Sequence, residues 1–234
     1  MKNNKIEYLD FAISDYKITW NRQDELLKQI VELKNRNKAI LEELQTPTPN
    51  YLIFVEHPHV YTLGKSGDEH NLLLNYIQLQ AKAATFYKTD RGGDITYHGP
   101  GQLVGYPILD LENFGIGLRQ YIYNMEEAII RALLIYGIES SRDPEATGVW
   151  IDTGKPEARK ICAIGVKSSR FVTMHGFALN VNTDLEYFKY INPCGFSDRG
   201  VTSLEKELGL KQDFAQVKRH ILEKFAEVMG AVIC

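Results

Sequence analysis

Apolar residues recur three and four positions apart in three stretches of the chain, and each stretch predicts a helix with one buried face. The stretches cover residues 25–44, 118–133 and about 213–229. Gly137 follows the second stretch and Gly230 ends the third, at positions where a glycine in the left-handed conformation commonly ends a helix. We therefore expect three long helices, the first of them covering a sheet.

Between the helical stretches lie runs rich in Val, Ile, Tyr, Phe and Thr, the residues that strands favour. The predicted strands are residues 51–56, 85–88, 102–109, 160–168 and 171–181. Ser169 and Arg170 separate the last two runs, which predicts a hairpin.

Two further segments have their own signals. Thr202 and Glu205 are spaced as a capping box, which predicts a short helix. Residues 140–156 contain two prolines and two glycines and predict a long mobile loop.

Strands grouped around a few long helices, without regular βαβ alternation, favour an α/β (α+β) fold with a mixed β-sheet flanked by helices. We expect one domain over residues 1–234.

Composition narrows the classes of function. The chain has 27 basic and 30 acidic residues, and its net charge of -3 gives no support to nucleic-acid binding. No apolar run approaches the ~18 residues of a transmembrane helix, so no membrane association is expected. The three cysteines are an odd number and widely spaced, which argues against disulfides and favours the cytoplasm, a reducing compartment.

The segment RGGDITYHGPGQ, residues 91–102, contains four glycines and one proline. Paired glycines allow positive φ angles and let backbone N–H groups approach a ligand closely. Arg91 adds a fixed charge, and His98 adds a group that donates or accepts near neutral pH. An ordinary hairpin with glycine turns is the alternative. The segment matches neither the phosphate loop GxxxxGK[ST] nor the dinucleotide pattern GxGxxG.

Cys194 lies in INPCGF, between a proline and a glycine. The proline restricts the backbone and the glycine leaves the thiol sterically open, which suits a nucleophile. A buried structural cysteine is the alternative. Cys162 alternates within an apolar strand and is expected in the core, whereas Cys234 ends the sequence and carries no signal.

A catalytic thiol needs a neighbouring cation or base, because an ordinary thiol is only about 3% thiolate at pH 7. Lys160, at the start of the strand KICAIG, is the candidate cation, and a solvated lysine at a strand end is the alternative. His57 and His59 form an HxH pair, but no third ligand stands at a recognisable spacing. We therefore expect no metal site.

Four motifs in this order, RGGDITYHGPGQLVGYPILDL, KICAIGVK, HGFALNV and NPCG, resemble the octanoyltransferases of lipoate biosynthesis, the LipB family. EHPHVYTLGKSG is similar to that family's preceding strand and loop. The resemblance covers roughly residues 51–204. It implies the fold of the biotin and lipoate protein ligases, which is also related to the class II aminoacyl-tRNA synthetases.

The resemblance implies two catalytic residues, Cys194 as the carrier of an acyl thioester and Lys160 as its partner. It also implies that three segments line the acyl site, with the substrate-binding residues Arg91, Gly92, Gly93, Asp94, Ile95, Thr96, Tyr97, His98, Ala163, Ile164, Gly165, Gly176, Phe177 and Ala178. His98 and His175 are expected there as orienting groups.

The implied reaction moves octanoyl, or lipoyl, from acyl carrier protein to a lysine of lipoate-dependent enzymes, the first step of endogenous protein lipoylation. The expected acceptors are the lipoyl domains of 2-oxoacid dehydrogenase E2 subunits and the glycine cleavage H protein. The donor is bound to phosphopantetheine, so no ATP, metal or other cofactor is expected. Acyl carrier proteins are acidic, and the candidates for a local basic docking patch are Arg91, Arg159, Lys167 and Arg170. The protein is expected to be a monomer.

Two alternatives stay open at the level of sequence. An ATP-dependent lipoate or biotin protein ligase of the same fold would adenylate a free acid and would need no cysteine. A non-catalytic module that binds lipoyl domains would use Cys194 and Lys160 structurally.

Overall fold

One mixed β-sheet organises the residues that the computed structural model describes, which are 2–192 and 199–234. These residues form the strands β1 (Lys5–Ile13), β2 (Tyr51–Glu56), β3 (Val60–Leu63), β4 (Thr85–Lys88), β5 (Ile95–His98), β6 (Gln102–Ile108), β7 (Ser141–Arg142), β8 (Gly148–Ile151), β9 (Arg159–Ser169), β10 (Val172–Asn180), β11 (Gly200–Val201) and β12 (Val232–Ile233). The main sheet has the order β12-β1-β2-β6-β10-β9-β8-β7, and β11 pairs with β9. β1 is parallel to β12 and β2, β11 is parallel to β9, and the other neighbours are antiparallel.

Helices cover both faces of this sheet. They are α1 (Tyr16–Lys38), α2 (Tyr76–Ala81), α3 (Leu111–Phe114), α4 (Leu118–Ile135), α5 (Leu204–Leu208) and α6 (Phe214–Met229). On one face α4 packs against α6, and Met125 and Phe225 lie in the same buried cluster as Phe54 and Phe177 of the sheet. Among the described residues no helix is both long and apolar enough to cross a membrane.

α1 covers the opposite face, where Leu26, Leu27 and Ile30 pack on a second buried cluster that includes Val104 and Ala178. Burying each large apolar side chain of this kind contributes about 2 kcal/mol. The helix begins after Asp15, whose side chain accepts hydrogen bonds from the first turn. It therefore lies across β6 and β10, next to the segments that carry the candidate chemistry.

A separate small sheet, β4-β3-β5, stands beside the main sheet. Tyr61 and Tyr97 on one of its faces belong to a third buried cluster, which also contains Ile191. Alternation along β5 places Thr96 and His98 on the other face. His98 hydrogen-bonds from that face to β6 of the main sheet. Polar residues of the glycine-rich segment therefore lie between the two sheets, in the region called the cleft below.

The predicted fold class, a mixed sheet flanked by helices, is confirmed. All five predicted strands are present, with bounds that agree to within one residue at each end. The hairpin between β9 and β10 is also confirmed. Its two turn residues are Arg170 and Phe171, both in the left-handed conformation with φ of 51° and 64°, the geometry of a type I′ turn.

The first helix differs from its predicted bounds, 25–44, because it begins at Tyr16 and ends at Lys38. Its first turns bury Tyr16, Thr19 and Gln23 rather than aliphatic residues, so the apolar pattern does not reveal them. Ile40 and Leu44, which extend the apolar spacing in the sequence, lie after the end of the helix and are exposed.

Two other expectations need correction. Residues 140–156 contain β7 and β8 at the edge of the main sheet, with Trp150 buried, instead of a long mobile loop. The short helix α5 is present, but Ser203 caps it rather than Thr202. The Thr202 side chain instead donates a hydrogen bond to Glu207.

Candidate active site

The glycine-rich segment lies in the cleft because its first residues are hydrogen-bonded to the main sheet. The N–H of Gly92 donates to the carbonyl of Val166 in β9 at 2.9 Å. A Cβ atom on Gly165 would lie only 2.8 Å from the Gly92 oxygen, and one on Gly64 would lie 2.2 Å from the Gly93 oxygen. These glycines thus let three chain segments approach one another more closely than any side chain would allow.

Substitution of Gly165 by alanine is expected to displace the glycine-rich turn, because the added methyl group meets backbone atoms that have no flexible end to move. We expect a stability loss of about 1–3 kcal/mol. The acyl-transfer activity expected from the sequence should fall by roughly tenfold or more, since small displacements of a site are costly. Urea unfolding and a transfer assay measure the two effects.

Gly117→Ala is the matched control, because a Cβ atom there meets nothing within 4 Å. Equal activity of both alanine variants and the unmodified protein would show that the close contact at Gly165 is unimportant.

Arg91 holds the same turn to the small sheet. Its guanidinium is buried and donates to the carbonyl of Thr62 at 2.6 Å and to the Thr62 hydroxyl at 3.0 Å. Asp94 accepts a hydrogen bond from the Asn71 side chain at 2.7 Å. The charged side chains of Arg91 and Asp94 therefore help to hold the turn in place.

A second group of charges ties the turn to β10. Nε2 of His175 donates to Asp90 at 2.8 Å, and the second Asp90 oxygen accepts from Lys167 at 2.5 Å. The hydrogen bond from His175 lowers the pKa of Asp90, while burial lowers the pKa of His175 more than Asp90 raises it. At neutral pH we expect an ionised Asp90 beside a neutral His175. The backbone of His175 is itself in the left-handed conformation, with φ of 57°.

His98 heads a chain of buried hydrogen bonds. Its Nδ1 lies 2.8 Å from Oε1 of Gln102, and the Gln102 amide group donates to Asn180 at 2.8 Å. Asn180 in turn donates to the carbonyl of Thr202 at 2.9 Å. The N–H of Thr202 donates to the carbonyl of Lys160 at 3.0 Å. The chain therefore connects β5 to β9 through buried polar side chains.

The two histidines of the HxH pair have different partners. His57 is fully buried between the Ser14 carbonyl and the Tyr106 hydroxyl. His59 instead stacks on Tyr187, with ring centroids 4.1 Å apart. In residues 2–192 and 199–234 no three His, Cys, Asp or Glu side chains form a group that could hold a metal ion.

The unfolding free energy is expected to fall as the pH is lowered from 7 to 5. Burial lowers the pKa of His57 to about 4 and that of His98 to about 3. In the unfolded chain a histidine has a pKa of about 6.5, so the unfolded state binds more protons within this window. Each histidine should cost about 2 kcal/mol between pH 7 and 5. Urea unfolding at a series of pH values measures the slope.

His57→Gln should make the profile less steep, because it removes one of the buried histidines, and His70→Gln, at an exposed side chain, is the matched control. The raised pKa of Glu126 acts in the opposite direction, but the lowered pKa values of His59 and His175 add to the effect of His57 and His98. A flat profile between pH 7 and 5 would contradict the assignment of neutral buried histidines.

The remaining predicted binding residues divide between the two faces of the main sheet. Ala178 lies on the face that α1 covers. Gly165 of β9 lies next to the side chain of Arg91. Ala163 pairs directly with Ala178 across the strands. Ile164 and Phe177 instead pack into the cluster beneath α4 and α6.

Gly176 serves close strand packing, because a Cβ atom there would lie 2.1 Å from the Gly105 oxygen. Ile95 and Tyr97 likewise belong to the small sheet's buried cluster, on the face away from Thr96 and His98. Thus the structure brings Arg91, Gly92 and His98 to one cleft with β9 and β10, but it does not bring every predicted residue there.

Lys160 lies in β9 where that strand pairs with both β8 and β11. Its Nζ is 4.6 Å from the centre of the Trp150 ring, a cation–π contact. Its charge also acts on the buried carboxylate of Glu126, whose pKa burial raises. The side chain is partly buried.

Cys194 lies outside the described residues, and the flanking residues on both sides contact the site. The N–H of Asn192 donates to the carbonyl of Asn71, whose side chain binds Asp94. After the gap, Gly200 and Val201 pair with Arg159 and Lys160. The described chain therefore enters and leaves this segment beside the glycine-rich turn and Lys160.

The other two cysteines, Cys162 and Cys234, lie among the described residues. Cys162 is fully buried, as predicted, and burial raises the pKa of its thiol. Cys234 is exposed, and its backbone N–H donates to Ile6.

The four basic residues considered for a docking patch do not form one. Arg91 is buried, and Arg159 forms ion pairs with two carboxylates at 2.6 Å. Lys167 pairs with Asp90. Arg170 lies at the tip of the β9–β10 hairpin, beside Asn35 near the end of α1. The sequence could not reveal these partners, which come from distant parts of the chain.

A protein-family model described as the lipoyl protein ligase A/B catalytic domain matches residues 15–226. The chain belongs to this family. A protein named octanoyltransferase from Flavobacterium johnsoniae is 59% identical over 232 residues, covering 99% of each chain. Another protein of that name, from Christiangramia forsetii, is 55% identical and covers 98% of this chain and 97% of its own length.

Solved structures support the ligase-like fold of this lipoyl protein ligase A/B family member. The bipartite lipoate protein ligase of Thermoplasma acidophilum superposes with a TM-score of 0.68 at 15% identity, covering 100% of this chain and 86% of its own. A lipoate-protein ligase A bound with ATP gives a TM-score of 0.67 at 16% identity, covering 100% and 88%. At these identities the likeness concerns the fold alone.

Sequence reasoning missed several residues of this family member's cleft. Asp90, Gln102 and Asn180 carry the hydrogen bonds described above, and Trp150 lies against Lys160. Gln102 and Asn180 lie inside the motifs already singled out, so the sequence could have indicated them as site residues. The ring of Tyr16 stacks on His98. No sequence pattern indicated this residue, because its helix begins earlier than predicted.

Proposed function

We propose that this protein transfers an octanoyl group from acyl carrier protein to a lysine of lipoyl domains, through a thioester on Cys194. Relatives named octanoyltransferase match nearly its whole length at 55–59% identity. The observation that carries the mechanism is the pairing of β11 with β9: Val201, seven residues after Cys194, lies beside Lys160. A cation is thus available next to a segment that leads from the proposed nucleophile.

In the first half reaction the Cys194 thiolate attacks the thioester carbonyl of the octanoylated carrier. The carbon–sulfur bond to phosphopantetheine breaks, and the released thiolate takes up a proton. One thioester replaces another, so the step is nearly neutral in energy. Lys160 as an ammonium group favours the thiolate and exchanges protons with the leaving thiol.

In the second half reaction the lysine amine of the lipoyl domain attacks the acyl-enzyme. A carbon–nitrogen bond forms, the bond to the Cys194 sulfur breaks, and the amine gives up its proton. An amide is more stable than a thioester, so this step drives transfer forward. Because the donor arrives already activated, we propose that the reaction needs no ATP, metal or other cofactor.

The proposal extends to the biological setting. The acceptors are lipoyl domains of 2-oxoacid dehydrogenase E2 subunits and the glycine cleavage H protein, and the donor is octanoyl-acyl carrier protein. We propose a cytoplasmic monomer whose residues 1–234 act as one catalytic domain. An ATP-dependent ligase of the same fold is the competing activity.

Intact mass spectrometry tests the proposal directly. The protein is incubated with octanoyl-acyl carrier protein in the absence of ATP, and we expect a mass increase of one octanoyl group. Adding a lipoyl domain should then remove the group from the enzyme and place it on the domain. A parallel incubation with free octanoate, ATP and Mg²⁺ should give no product. Product in that incubation alone would establish the ligase instead.

A further inference from the structure

The indole ring of Trp150 lies against the ammonium group of Lys160, between the strands β8 and β9. We propose that Trp150 is a positioning residue, whose ring holds this ammonium group in one place for acyl transfer. The part that Lys160 takes in transfer rests on the proposed function. The contact between the two side chains rests on described residues alone.

A shift in strand register brings the two residues together. Val149 of β8 pairs with Cys162 of β9, but the next residue, Trp150, pairs with Lys160. One extra residue of β9, Ile161, is accommodated at this point, as in a β-bulge. With regular pairing Trp150 would stand opposite Ile161. The bulge therefore aligns the lysine, and not the isoleucine, with the indole ring.

The ring is held in a fixed orientation. Trp150 is only 3% exposed, and its Nε1–H donates a hydrogen bond to the carbonyl of Ala146 at 2.8 Å. The N–H of Ala146 in turn donates to the side chain of Asp143 at 3.1 Å. An aromatic face carries partial negative charge and attracts a cation. The buried ring therefore offers Lys160 an attractive surface that cannot turn away.

The aliphatic part of the Lys160 side chain is confined by Gly148. A Cβ atom on Gly148 would lie 3.5 Å from Cε of Lys160 and 2.6 Å from the carbonyl oxygen of Cys162. The glycine thus lets β8 approach β9 closely beside the lysine. The N–H of Gly148 donates to the buried carboxylate of Glu126 at 2.9 Å, and this carboxylate also interacts favourably with the Lys160 charge.

Two arginines lie near the same group, and carboxylates balance both. Arg199 is 5.5 Å from the centre of the indole ring and donates to Asp143 and Glu145, each at 2.9 Å. Arg142 of β7 lies 3.2 Å from Glu126. These ion pairs reduce the repulsion that the guanidinium groups would otherwise exert on the lysine.

A fixed position matters because a lysine side chain is long and flexible. A charge that is already in place stabilises developing negative charge without reorganisation, whereas a mobile charge is averaged over many positions. In the proposed first half reaction that negative charge is a thiolate. Holding Lys160 before the carrier arrives should therefore raise the rate of acylation more than the affinity for the carrier.

Nuclear magnetic resonance of protein labelled with ¹³C-lysine tests the contact without reference to activity. The signals of Lys160 are assigned by their absence in Lys160→Met. The ring current of the indole should move its ε-methylene protons upfield of those of the exposed Lys155. We expect this shift in the wild type and its loss in Trp150→Leu. An ordinary shift for Lys160 in the wild type would overturn the proposal.

A pair of substitutions tests the role in acylation. Trp150→Phe and Trp150→Leu both remove side-chain volume, but only phenylalanine keeps an aromatic face. We expect Trp150→Leu to lower the rate of acyl-enzyme formation by about tenfold, and Trp150→Phe to lose clearly less of it. The carrier concentration that gives half the maximal rate should change little. Single-turnover acylation measures both quantities, with urea unfolding in parallel.

The same two substitutions in a Lys160→Met background complete a double-mutant cycle. No cation then faces the ring from position 160, so phenylalanine and leucine should give equal rates. A difference that persists there would show that Trp150 does not act through Lys160. Equal rates for folded Trp150→Phe and Trp150→Leu in the wild-type background would refute the positioning role.

Failure of this inference is distinguishable from failure of the proposed function. If Trp150→Leu does not fold, Trp150→Phe measured in both backgrounds carries the test, because its loss of rate should shrink when Lys160 is replaced. The expected wild-type spectrum together with a complete lack of octanoyl transfer would refute the proposed function and leave only the contact between Trp150 and Lys160 standing.

Discussion

Replacement of Cys194 by alanine is expected to abolish both the acyl-enzyme and octanoyl transfer. The reaction proceeds through a thioester, and alanine has no atom that can form one. Neither of the other thiols can replace it. Cys162 is sealed in the core with a raised pKa, and Cys234 lies exposed where its backbone pairs with β1. Intact mass spectrometry after incubation with octanoyl-acyl carrier protein, with unfolding measured in parallel, tests this expectation.

Cys234→Ala is the matched control, because it removes an exposed thiol that has no part in the proposed reaction. We expect full adduct formation and full transfer from this variant. If Cys194→Ala is folded and still carries an octanoyl group, Cys194 is not the nucleophile.

Replacement of Lys160 by methionine is expected to lower the rate of acyl-enzyme formation by about a thousandfold, within the range that loss of a proton-transfer group covers. Methionine keeps much of the side chain's volume beside Trp150 but removes the ammonium group. Without that charge an ordinary thiol is only about 3% ionised at pH 7. Single-turnover acylation across a series of pH values measures the effect, and the rate should recover partly at high pH.

Two variants test the interpretation. Lys160→Arg keeps the positive charge and should acylate faster than Lys160→Met, although it cannot exchange protons. Lys155→Met removes an exposed lysine that pairs with Asp152 and should leave the rate unchanged. Similar acylation rates for Lys160→Met and the wild type would limit Lys160 to a structural role, in which it compensates the buried Glu126.

Much of the fold was predictable because, in most helices and strands, the spacing of apolar residues in the sequence matches the positions that are buried. α4 and α6 show the apolar spacing of helices that face a core, and Gly137 and Gly230 adopt the left-handed conformation expected after their ends. The central strands β6 and β10 are buried on both faces, and apolar residues occupy most of their positions.

The elements that were missed bury polar side chains or lie at sheet edges. The first turns of α1 bury Thr19 and Gln23, so the local pattern carries no helical signal. β8 contains a glycine with φ of 131° and follows a proline-containing segment, which resembles a loop until its pairing with β9 is known. Pairing with a distant strand, and not local propensity, makes this segment part of the sheet.

The candidate site shows the same division. The motifs indicated Lys160, His98 and the glycine-rich turn as candidates, and the resemblance implied Cys194 as a further one. The sequence did not reveal that Ile164 and Phe177 pack beneath α4 and α6, or that Asp90 binds His175. Each of these facts depends on strand register, because a side chain's face changes with every residue along a strand.

The sequence by itself determined the family, the fold class and the residue types available for acyl transfer, because these depend on motifs and on local periodicity. Only the tertiary structure decided which polar groups meet. The hydrogen bonds that lead from His98 through Gln102 and Asn180 are the clearest case. They end on carbonyls of Tyr97 and Thr202, one next to His98 in the chain and the other more than a hundred residues away. Buried hydrogen bonds are directional and must be satisfied by whatever groups the fold brings together, and no local pattern encodes those partners.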